Sequence, residues 1–513
     1  MTAHIIRSVR QRVHTIDACG SDSLLRSPNA ELHIDHYKLG ANMNDASTLT
    51  AALPGLTEKL ALHGGPKTVV TPIPPRKRHG EKDKQYLNEV IDSEMLFYYW
   101  GTKVREFERH FAAMYGKKHC LACSSGSAAV HVALGALDLA PGTEIITTPI
   151  TDMGTLTGIL YQGLIPVFAD VDPETLNLHP DAVRQCVSPR TGAIVAVHHS
   201  GLAADLNELL RVSEDCGVPL VEDCAQAYGT EHDGHLVGMS GCLNTFSLNH
   251  FKHISTGSGG MVLTDDDELY YRSTLFFDKC YQRAEGIRNP YFLAPNYQMT
   301  ELQGAVALAQ VERLPELTGR RCALGNRLRT QIEDVPGIRL QRIAPRSKHS
   351  YFLFLIAIDG ATLNCSAAEF ATALHAEGVH AQANLITGGR PVYLYDLFQR
   401  RSAFPRSHYP FQSKDLGTDR AYPVGLCPNA EAAFSSWIVI ELLENYLEQN
   451  VDEVALAIRK VALHFQTSER LRSSQQALAT DLANDNVSPV VATNGTATEV
   501  LAAMTKGMND DLL

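Results

Sequence analysis

The sequence lacks the long apolar segments that a membrane-spanning helix requires. Although 44% of the 513 residues are hydrophobic, no apolar run approaches the ~20 residues needed to cross a bilayer. Residues 1–15 contain Arg7, Arg10 and Arg12, but neither an acid nor the apolar core of a secretory signal. We therefore expect a cytoplasmic protein with no membrane partner, whose leader is disordered or binds a partner.

Positive charge is also in short supply. Lys and Arg number 45 against 57 Asp and Glu, which gives a formal net charge of −12. Proteins that neutralise nucleic-acid phosphates need a basic face, so this balance argues against a nucleic-acid partner. A local basic patch for an anionic small substrate is still compatible with it.

The chain lacks the second cysteine pair that a structural zinc site requires. Cys120 and Cys123 form one CxxC motif, but it stands alone, and the alternation around it is typical of a strand. The 11 cysteines are scattered along the chain. We therefore expect free, buried thiols in a reducing cytoplasm and no metal site.

No internal repeat divides the chain, but its composition does. Residues 1–59 read as a polar, flexible leader, and residues 467–513 read as a disordered tail rich in Ala, Ser, Thr and Asn. Between them apolar strands alternate with helices, which predicts an α/β fold with a mostly parallel sheet covered by helices on both faces. We assign residues 60–318 to a large cofactor-binding domain and residues 319–466 to a smaller C-terminal α/β domain.

A capping box at Thr300 and Gln303 predicts the start of a helix near the end of the large domain. Pro315 should end or kink this helix, because proline lacks the amide hydrogen and its ring clashes with the preceding turn. Beyond it, the patterns predict a strand over residues 351–358 and a helix over residues 367–377.

Lys252 is the most informative residue of the sequence because of its surroundings. It follows Ser247 by five positions and precedes the glycine turn at residues 257–260. Upstream, an apolar run ends in the acid Asp223. A strand-end acid and a lysine on a later loop suit pyridoxal phosphate. The lysine forms a Schiff base with the aldehyde, while the acid keeps the pyridine nitrogen protonated.

A second motif, between a strand and a helix, suits a phosphate. Gly126 lets the backbone approach an anion, and the amides of Ser127 and Ala128 open the helix, where negative charge is favoured. Each element has an ordinary interpretation when it is taken alone. The serines and glycine are then a helix cap, Asp223 a capped strand end and Lys252 a solvated loop charge. Their order and spacing together make the cofactor interpretation specific.

These motifs resemble the sugar aminotransferases of the DegT/StrS family, which have fold type I of the pyridoxal phosphate enzymes. The resemblance spans roughly residues 60–465. Beyond the lysine region it rests on four segments: Phe107-Glu108-Arg109, Asp170-Val171-Asp172, residues 222–227 and residues 296–303.

The resemblance implies a role for each matching residue. Lys252 would be the catalytic Schiff-base lysine and proton shuttle. The implied cofactor contacts are Gly126, Ser127, Ala128 and Ser247 for the phosphate, Asp223 for the pyridinium and Gln226 for the ring hydroxyl. Asn296 would reach the phosphate of the neighbouring subunit's cofactor, which implies a homodimer with shared active sites. The candidate substrate contacts are Asp152, His250, His253 and Arg390.

The resemblance also implies an activity. The enzyme would move an amino group from glutamate or glutamine to a keto sugar or related polyhydroxylated ketone, in sugar or secondary-metabolite biosynthesis. Relatives that use the cofactor for 3-dehydration carry histidine in place of Lys252, so the lysine favours transamination. The retained Lys252 and Asp223 also disfavour a non-catalytic regulatory or scaffold protein.

Four positions depart from the family pattern. Asp152 occupies the position of the aromatic ring that usually covers the pyridine face, while Tyr228, Ser258 and Gln298 replace a histidine, an acid and an arginine. Asp152 keeps a sugar dehydratase open as the alternative function.

Overall fold

The computed structural model describes residues 58–386 and 388–484, with side chains described up to residue 467. Almost all of the predicted leader and most of the predicted tail therefore lie outside the described residues. The chain divides into two compact units, the first ending at Phe465 and the second beginning at Gln466. Within the described ranges, every helix is too short or too polar to span a bilayer.

The strands are mostly short and lie between residues 119 and 440. They are His119–Cys123 (β1), Glu144–Thr147 (β2), Ile165–Phe168 (β3), Thr191–Val197 (β4), Leu220–Asp223 (β5), Glu231–His232 (β6), His235–Leu236 (β7), Leu243–Ser247 (β8), Gly260–Thr264 (β9), Ile338–Leu340 (β10), Phe354–Ile358 (β11), Ala381–Gln382 (β12), Gln412–Ser413 (β13), Thr418–Asp419 (β14) and Trp437–Ile440 (β15).

The α-helices alternate with these strands. They are Glu81–Asp92 (α1), Lys103–Met114 (α2), Gly126–Ala136 (α3), Met153–Tyr161 (α4), Pro180–Cys186 (α5), Leu206–Cys216 (α6), Asp267–Phe277 (α7), Glu301–Ile332 (α8), Gly360–Leu363 (α9), Ala367–Ala376 (α10), Asp396–Gln399 (α11), Pro428–Ser436 (α12) and Glu448–Asn484 (α13). Of the second unit, the structure describes only the end of α13.

A seven-stranded sheet forms the centre of the first unit, in the order β1-β9-β8-β5-β4-β2-β3. Strands β3, β2, β4, β5 and β8 pair in parallel, whereas β9 runs antiparallel to both of its neighbours. Nearly all residues of these strands are buried, as expected for a sheet covered on both faces. The predicted α/β class with a mostly parallel sheet is therefore confirmed.

The parallel strands end at one edge of the sheet. Val197 pairs with Asp223, and Asp223 pairs with Thr245 two residues before the end of β8. Gly260, the first residue of the antiparallel strand, lies opposite both Ser247 and Cys123. Ligands of open α/β sheets bind outside this carboxyl edge.

A second, four-stranded antiparallel sheet has the order β10-β11-β15-β12. It encloses its own hydrophobic core together with α10 and the start of α13. The domain boundary that we placed after residue 318 stays a prediction, and it falls inside helix α8.

Helix α8 begins with the predicted capping box, since Thr300 Oγ1 accepts the Gln303 amide at 3.4 Å and Gln303 Oε1 accepts the Thr300 amide at 3.1 Å. The helix does not end at Pro315, which the sequence offered as an end or a kink. A proline removes only one helical hydrogen bond. The adjacent Leu314 and Leu317 are buried, and this packing keeps the helix continuous.

Candidate active site

The first turn of α3 forms one wall of the candidate site. Ser125 caps the helix, because its Oγ accepts the Ala128 amide at 3.0 Å. The predicted use of that amide for a phosphate therefore competes with the cap. The side chain of Ser127 is exposed in the same turn, and its hydroxyl is available to an anion.

Gly126 is the point of closest approach between this turn and β8. A Cβ at residue 126 would lie 2.6 Å from Ser247 Cβ and 2.7 Å from Ser247 Oγ. Ser247 is held by Tyr228, whose hydroxyl donates to the Ser247 carbonyl at 2.9 Å. The two predicted phosphate hydroxyls, Ser127 and Ser247, therefore flank a glycine that admits no side chain. Tyr228 braces one of them, although the sequence marked Tyr228 only as a departure.

The glycine turn at residues 257–260 packs on the same loop. Ser258 Oγ donates to the Ser124 carbonyl at 2.9 Å, and the Ser258 carbonyl accepts from Gln303 Nε2 at 2.7 Å. A Cβ on Gly260 would lie 2.3 Å from the Ser125 carbonyl oxygen. Ser258 therefore ties the turn to the first residues of the site, a contact that the sequence did not indicate.

Asp223 ends β5 with its side chain buried. One oxygen accepts from Thr155 Oγ1 at 2.8 Å, and the other accepts the Ala225 amide at 3.1 Å. Burial raises the pKa of Asp223, while these hydrogen bonds and the nearby Lys252 oppose the rise. A cation at this place would stabilise the carboxylate strongly, because little water competes for it.

The neighbouring residue, Glu222, stabilises the end of β5 through buried hydrogen bonds. His198 Nδ1 accepts the Ala204 amide at 3.1 Å, so the Nε2 hydrogen faces Glu222 Oε2 at 3.0 Å. The same carboxylate accepts the amides of Gly238 and Ser240 at 2.7 and 2.8 Å. Burial alone would raise the pKa of Glu222, but these hydrogen bonds hold it below its ordinary value.

His198 and Glu222 also lie with Cys224 in a buried group that has metal-ligating side-chain types. The histidine and the carboxylate already bond to each other and to the backbone, and burial raises the pKa of the Cys224 thiol well above its ordinary value. The protonated thiol is a poor ligand. We interpret this group as the support of the Asp223 strand end.

The side-chain carbonyl oxygen of Gln226 already accepts a hydrogen bond within the protein. Oε1 accepts the Ser200 amide at 2.8 Å, and Ser200 has a φ of 61°. Ser200 Oγ also donates to Gln341 Oε1 at 3.0 Å, so two glutamines hold this strained turn in place. The remaining polar group of Gln226 is its amide nitrogen, which is a donor and suits the phenolic oxygen of pyridoxal phosphate.

Lys252 lies in a loop that Arg78 clamps from outside. The Arg78 guanidinium donates to the carbonyls of both His250 and Lys252, the latter at 2.7 Å. Burial lowers the pKa of the Lys252 amine, whereas Asp223 and Asp152 raise it. The amine therefore lies within the electrostatic reach of the strand-end acid. The sequence gave no indication of this role for Arg78, because the main-chain carbonyls that it contacts are 172 and 174 positions away.

The four candidate substrate contacts differ in placement. His250 is exposed, while His253 is buried against the rings of Tyr228 and Phe352 at centroid distances of 5.7 and 5.5 Å. Asp152 caps α4 by accepting the Gly154 amide at 2.8 Å. Arg390 is half-exposed, with Nη2 3.7 Å from Asp396 Oδ1. His253 therefore forms part of a wall, whereas the other three face solvent.

Asn296 is exposed and pairs through its backbone with Asp278. The next residue, Tyr297, accepts the Ser124 amide on its carbonyl at 2.7 Å. This segment therefore runs beside the α3 loop.

The residues present fit pyridoxal phosphate. Gly126 starts helix α3 and packs against Ser247, and Ser127 is exposed in the same turn, so a helix N-terminus and hydroxyl groups suit a phosphate here. The buried Asp223 suits a protonated ring nitrogen, and the amide of Gln226 suits a ring oxygen. Lys252 supplies an amine of lowered pKa beside them.

Comparison with known proteins agrees with this fit. The DegT/DnrJ/EryC1/StrS aminotransferase family matches residues 77–459. The spore coat polysaccharide biosynthesis protein SpsC of Bacillus subtilis (strain 168) is 29% identical over 392 residues, which cover 74% of this chain and 95% of SpsC.

Solved structures give the same result. The structure of 3-amino-5-hydroxybenzoic acid synthase has a TM-score of 0.67 at 27% identity, covering 77% of this chain and 99% of that one. DesI in the presence of its TDP-sugar product has a TM-score of 0.66 at 26% identity, covering 81% and 99%. The fold is that of the fold-type I aminotransferases. The chain belongs to the DegT/DnrJ/EryC1/StrS aminotransferase family, and it is an enzyme that uses pyridoxal phosphate.

Proposed function

We propose that this enzyme transfers an amino group from glutamate or glutamine to a keto sugar or a related polyhydroxylated ketone, in the cytoplasm. The observation that carries the proposal is the placement of Lys252 and Asp223 at one edge of the sheet, where the acid raises and burial lowers the pKa of the amine. The relatives support a sugar substrate, since SpsC is a polysaccharide biosynthesis protein and DesI was solved with a TDP-sugar product.

The donor and acceptor groups of the site determine the cofactor contacts that we propose. Bound pyridoxal phosphate supplies an electron-accepting ring that stabilises negative charge on the carbon that loses its proton. Asp223 would hold the ring nitrogen in its protonated form, and Gln226 would donate to the ring hydroxyl. Ser127 and Ser247 would bind the phosphate together with the amides at the start of α3.

Lys252 has two tasks in this proposal. Its Nζ would hold the cofactor before the amino donor arrives, and it would then take the proton from the donor's Cα. An ordinary lysine is protonated at neutral pH and cannot act as a base. Burial lowers the pKa of Lys252 and so increases the fraction of neutral amine.

A homodimer with shared active sites belongs to the same proposal. Asn296 would reach the phosphate bound by the partner subunit. Beside it, Tyr291 and Leu293 expose 67% and 96% of their surface, and exposed apolar side chains of this size favour burial at an interface.

The test is the first half of the reaction. The purified full-length protein is loaded with pyridoxal phosphate and given either glutamate or glutamine. We expect loss of the yellow absorption of the lysine-bound cofactor and release of one equivalent of 2-oxo acid per subunit from the true donor. Lys252→Ala should abolish the release, whereas Lys414→Ala, a change at an exposed lysine, should leave it intact. A yellow protein that ignores both donors would contradict the proposal.

Dehydration of a keto sugar is the second candidate, which Asp152 keeps open. A carboxylate stands where relatives carry a ring, so a charged group would lie near the face of the cofactor. Product analysis with a 4-keto sugar separates the two. An aminated product supports transamination, and a deoxygenated product without nitrogen supports dehydration.

A further inference from the structure

Phe352 lies against the side chain of Lys252. The lysine Nζ is 4.9 Å from the centroid of the Phe352 ring. The ring is half-buried, and its other neighbour is the buried His253, at 5.5 Å. Phe352 stands just before β11 of the second sheet. A residue from outside the seven-stranded sheet therefore covers the reactive amine.

The main chain around Phe352 is fixed on both sides. The Ser350 amide donates to the Gly201 carbonyl at 2.9 Å, and the Leu353 amide donates to the Ser200 carbonyl at 3.1 Å. These bonds tie the segment to the turn after β4. The buried Arg321 adds a contact from α8, with Nη1 3.4 Å from the Phe352 carbonyl. These bonds fix the main chain that carries the ring, in addition to the packing of the side chain itself.

The site has a particular need for such a ring. Asp152 holds the position at which relatives place an aromatic side chain, and its Oδ1 is committed to the Gly154 amide at 2.8 Å. A carboxylate hydrates and cannot form an apolar wall. Asp152 also adds a second negative charge that acts on Lys252, besides Asp223. Asp152 therefore gives the amine no apolar cover, whereas the ring of Phe352 does lie against it.

We propose that Phe352 is a positioning residue for Lys252, whose ring fixes the ε-amine at the sheet edge and keeps water from it. This proposal rests on the proposed function, because the amine it positions is the one that the reaction uses. An aromatic face stabilises the charged ammonium form of the amine. The apolar bulk of the same ring excludes water and so favours the neutral amine. The two contributions act in opposite directions, and substitutions can separate them.

Few other charges act on this amine. Asp223 and Asp152 favour its protonated form. Two buried histidines near it, His199 and His253, are neutral in the relevant range, because burial lowers the pKa of His199 to about 4 and that of His253 well below its ordinary value. A change in the pKa of Lys252 therefore reports on the ring rather than on another titration.

The test measures the pKa of the Lys252 amine in the full-length protein freed of cofactor. Competitive labelling with an amine reagent across a pH series, read by mass spectrometry, gives this value, and the exposed Lys414 serves as the internal reference. Phe352→Leu keeps apolar bulk but removes the aromatic face, so the pKa should fall by about half a unit to one unit. Phe352→Ala admits water, so its pKa should lie above that of Phe352→Leu. Phe352→Tyr should match the wild type.

A purely structural role predicts a different pattern. In that case the pKa of Phe352→Ala would equal that of Phe352→Leu or lie below it, or all three variants would match the wild type, and either result would overturn the proposal. Thermal unfolding shows whether each variant is folded. If Phe352→Ala does not fold, the comparison of Leu with Tyr decides. The result is also independent of transamination, since a wild type that releases no 2-oxo acid refutes the proposed function without changing the order of these pKa values.

Discussion

Thr155 offers a sharp test of the charge on Asp223. Its hydroxyl donates to Asp223 Oδ2 at 2.8 Å and lies 2.8 Å from the hydroxyl of Thr151. The Ala225 amide supplies the other hydrogen bond to the carboxylate. Thr155→Val keeps the shape of the side chain and removes one of two bonds that stabilise the ionised form. Burial already raises the pKa of Asp223, so the substitution should raise it further.

The size of the effect follows from the strength of that bond. A hydrogen bond to a charged group contributes about 1.5–3 kcal/mol. At about 1.4 kcal/mol per pKa unit, its loss corresponds to a rise of about one to two units. A less readily ionised Asp223 holds the ring nitrogen less well. The dissociation constant for pyridoxal phosphate should therefore rise, by at most about ten- to a hundredfold.

Fluorescence titration with pyridoxal phosphate measures this constant directly. Thr155→Ser is the matched control, because it keeps the hydroxyl and loses only a methyl group, and it should bind within a few-fold of the wild type. Equal affinities for Thr155→Val and the wild type would refute the reasoning, since they would mean that the Thr155 hydroxyl does not support the acid.

Three further substitutions probe other parts of the account. Gly126→Ala, whose Cβ would lie 2.6 Å from the nearest side-chain atom, should weaken cofactor binding in the same titration by about tenfold or more; Gly319→Ala, with nothing within 4 Å, should not. Asp223→Asn removes the acid that would pair with the ring nitrogen, so it should weaken cofactor binding in the same titration by about tenfold or more; wild-type affinity would contradict the role of the acid. Glu377→Ala strands Lys460, whose side chain is only 2% exposed, and should cost about 3–5 kcal/mol in urea unfolding. Burial alone would raise the pKa of Glu377, but its hydrogen bonds and Lys460 hold it below its ordinary value. The stabilisation by this pair is therefore present above the pKa of Glu377 in the unfolded state and should be lost as pH falls through its pKa in the folded state. An unfolding free-energy difference that stays constant into acid would contradict this pairing.

The sequence predicted the elements that place the site. The apolar run that ends in Asp223 is the strand Leu220–Asp223, and the strand expected over residues 351–358 is Phe354–Ile358. Apolar runs and the polar residues that end them are visible locally, so the strand ends could be located within about two residues. Because parallel strands end at one edge, the position of Asp223 followed from this alternation.

The contacts around the site could not be predicted in the same way. Thr155 bonds to a residue 68 positions away, and Arg78 clamps a loop 172 and 174 positions away. Neither side chain belongs to a local pattern that indicates its partner. The sequence predicted a strand from residue 351, in which Phe352 would be an ordinary apolar strand residue. In the structure the strand begins at Phe354, and Phe352 precedes it. Its contact with Lys252 depends on how the second sheet packs on the first.

Pro315 shows the opposite limit of local reasoning. The residue is unfavourable within a helix, yet α8 continues through it, with the buried Leu314 and Leu317 on either side. Packing outweighs local preference at this position.

The most direct test of the central claim locates the bound cofactor on the chain. The full-length protein is incubated with pyridoxal phosphate, reduced with borohydride and mapped by mass spectrometry, with and without prior exposure to the amino donor. We expect a phosphopyridoxyl group on Lys252 without the donor, and its loss after the donor has been added. Attachment at another lysine, or a label on Lys252 that neither glutamate nor glutamine diminishes, would contradict the account.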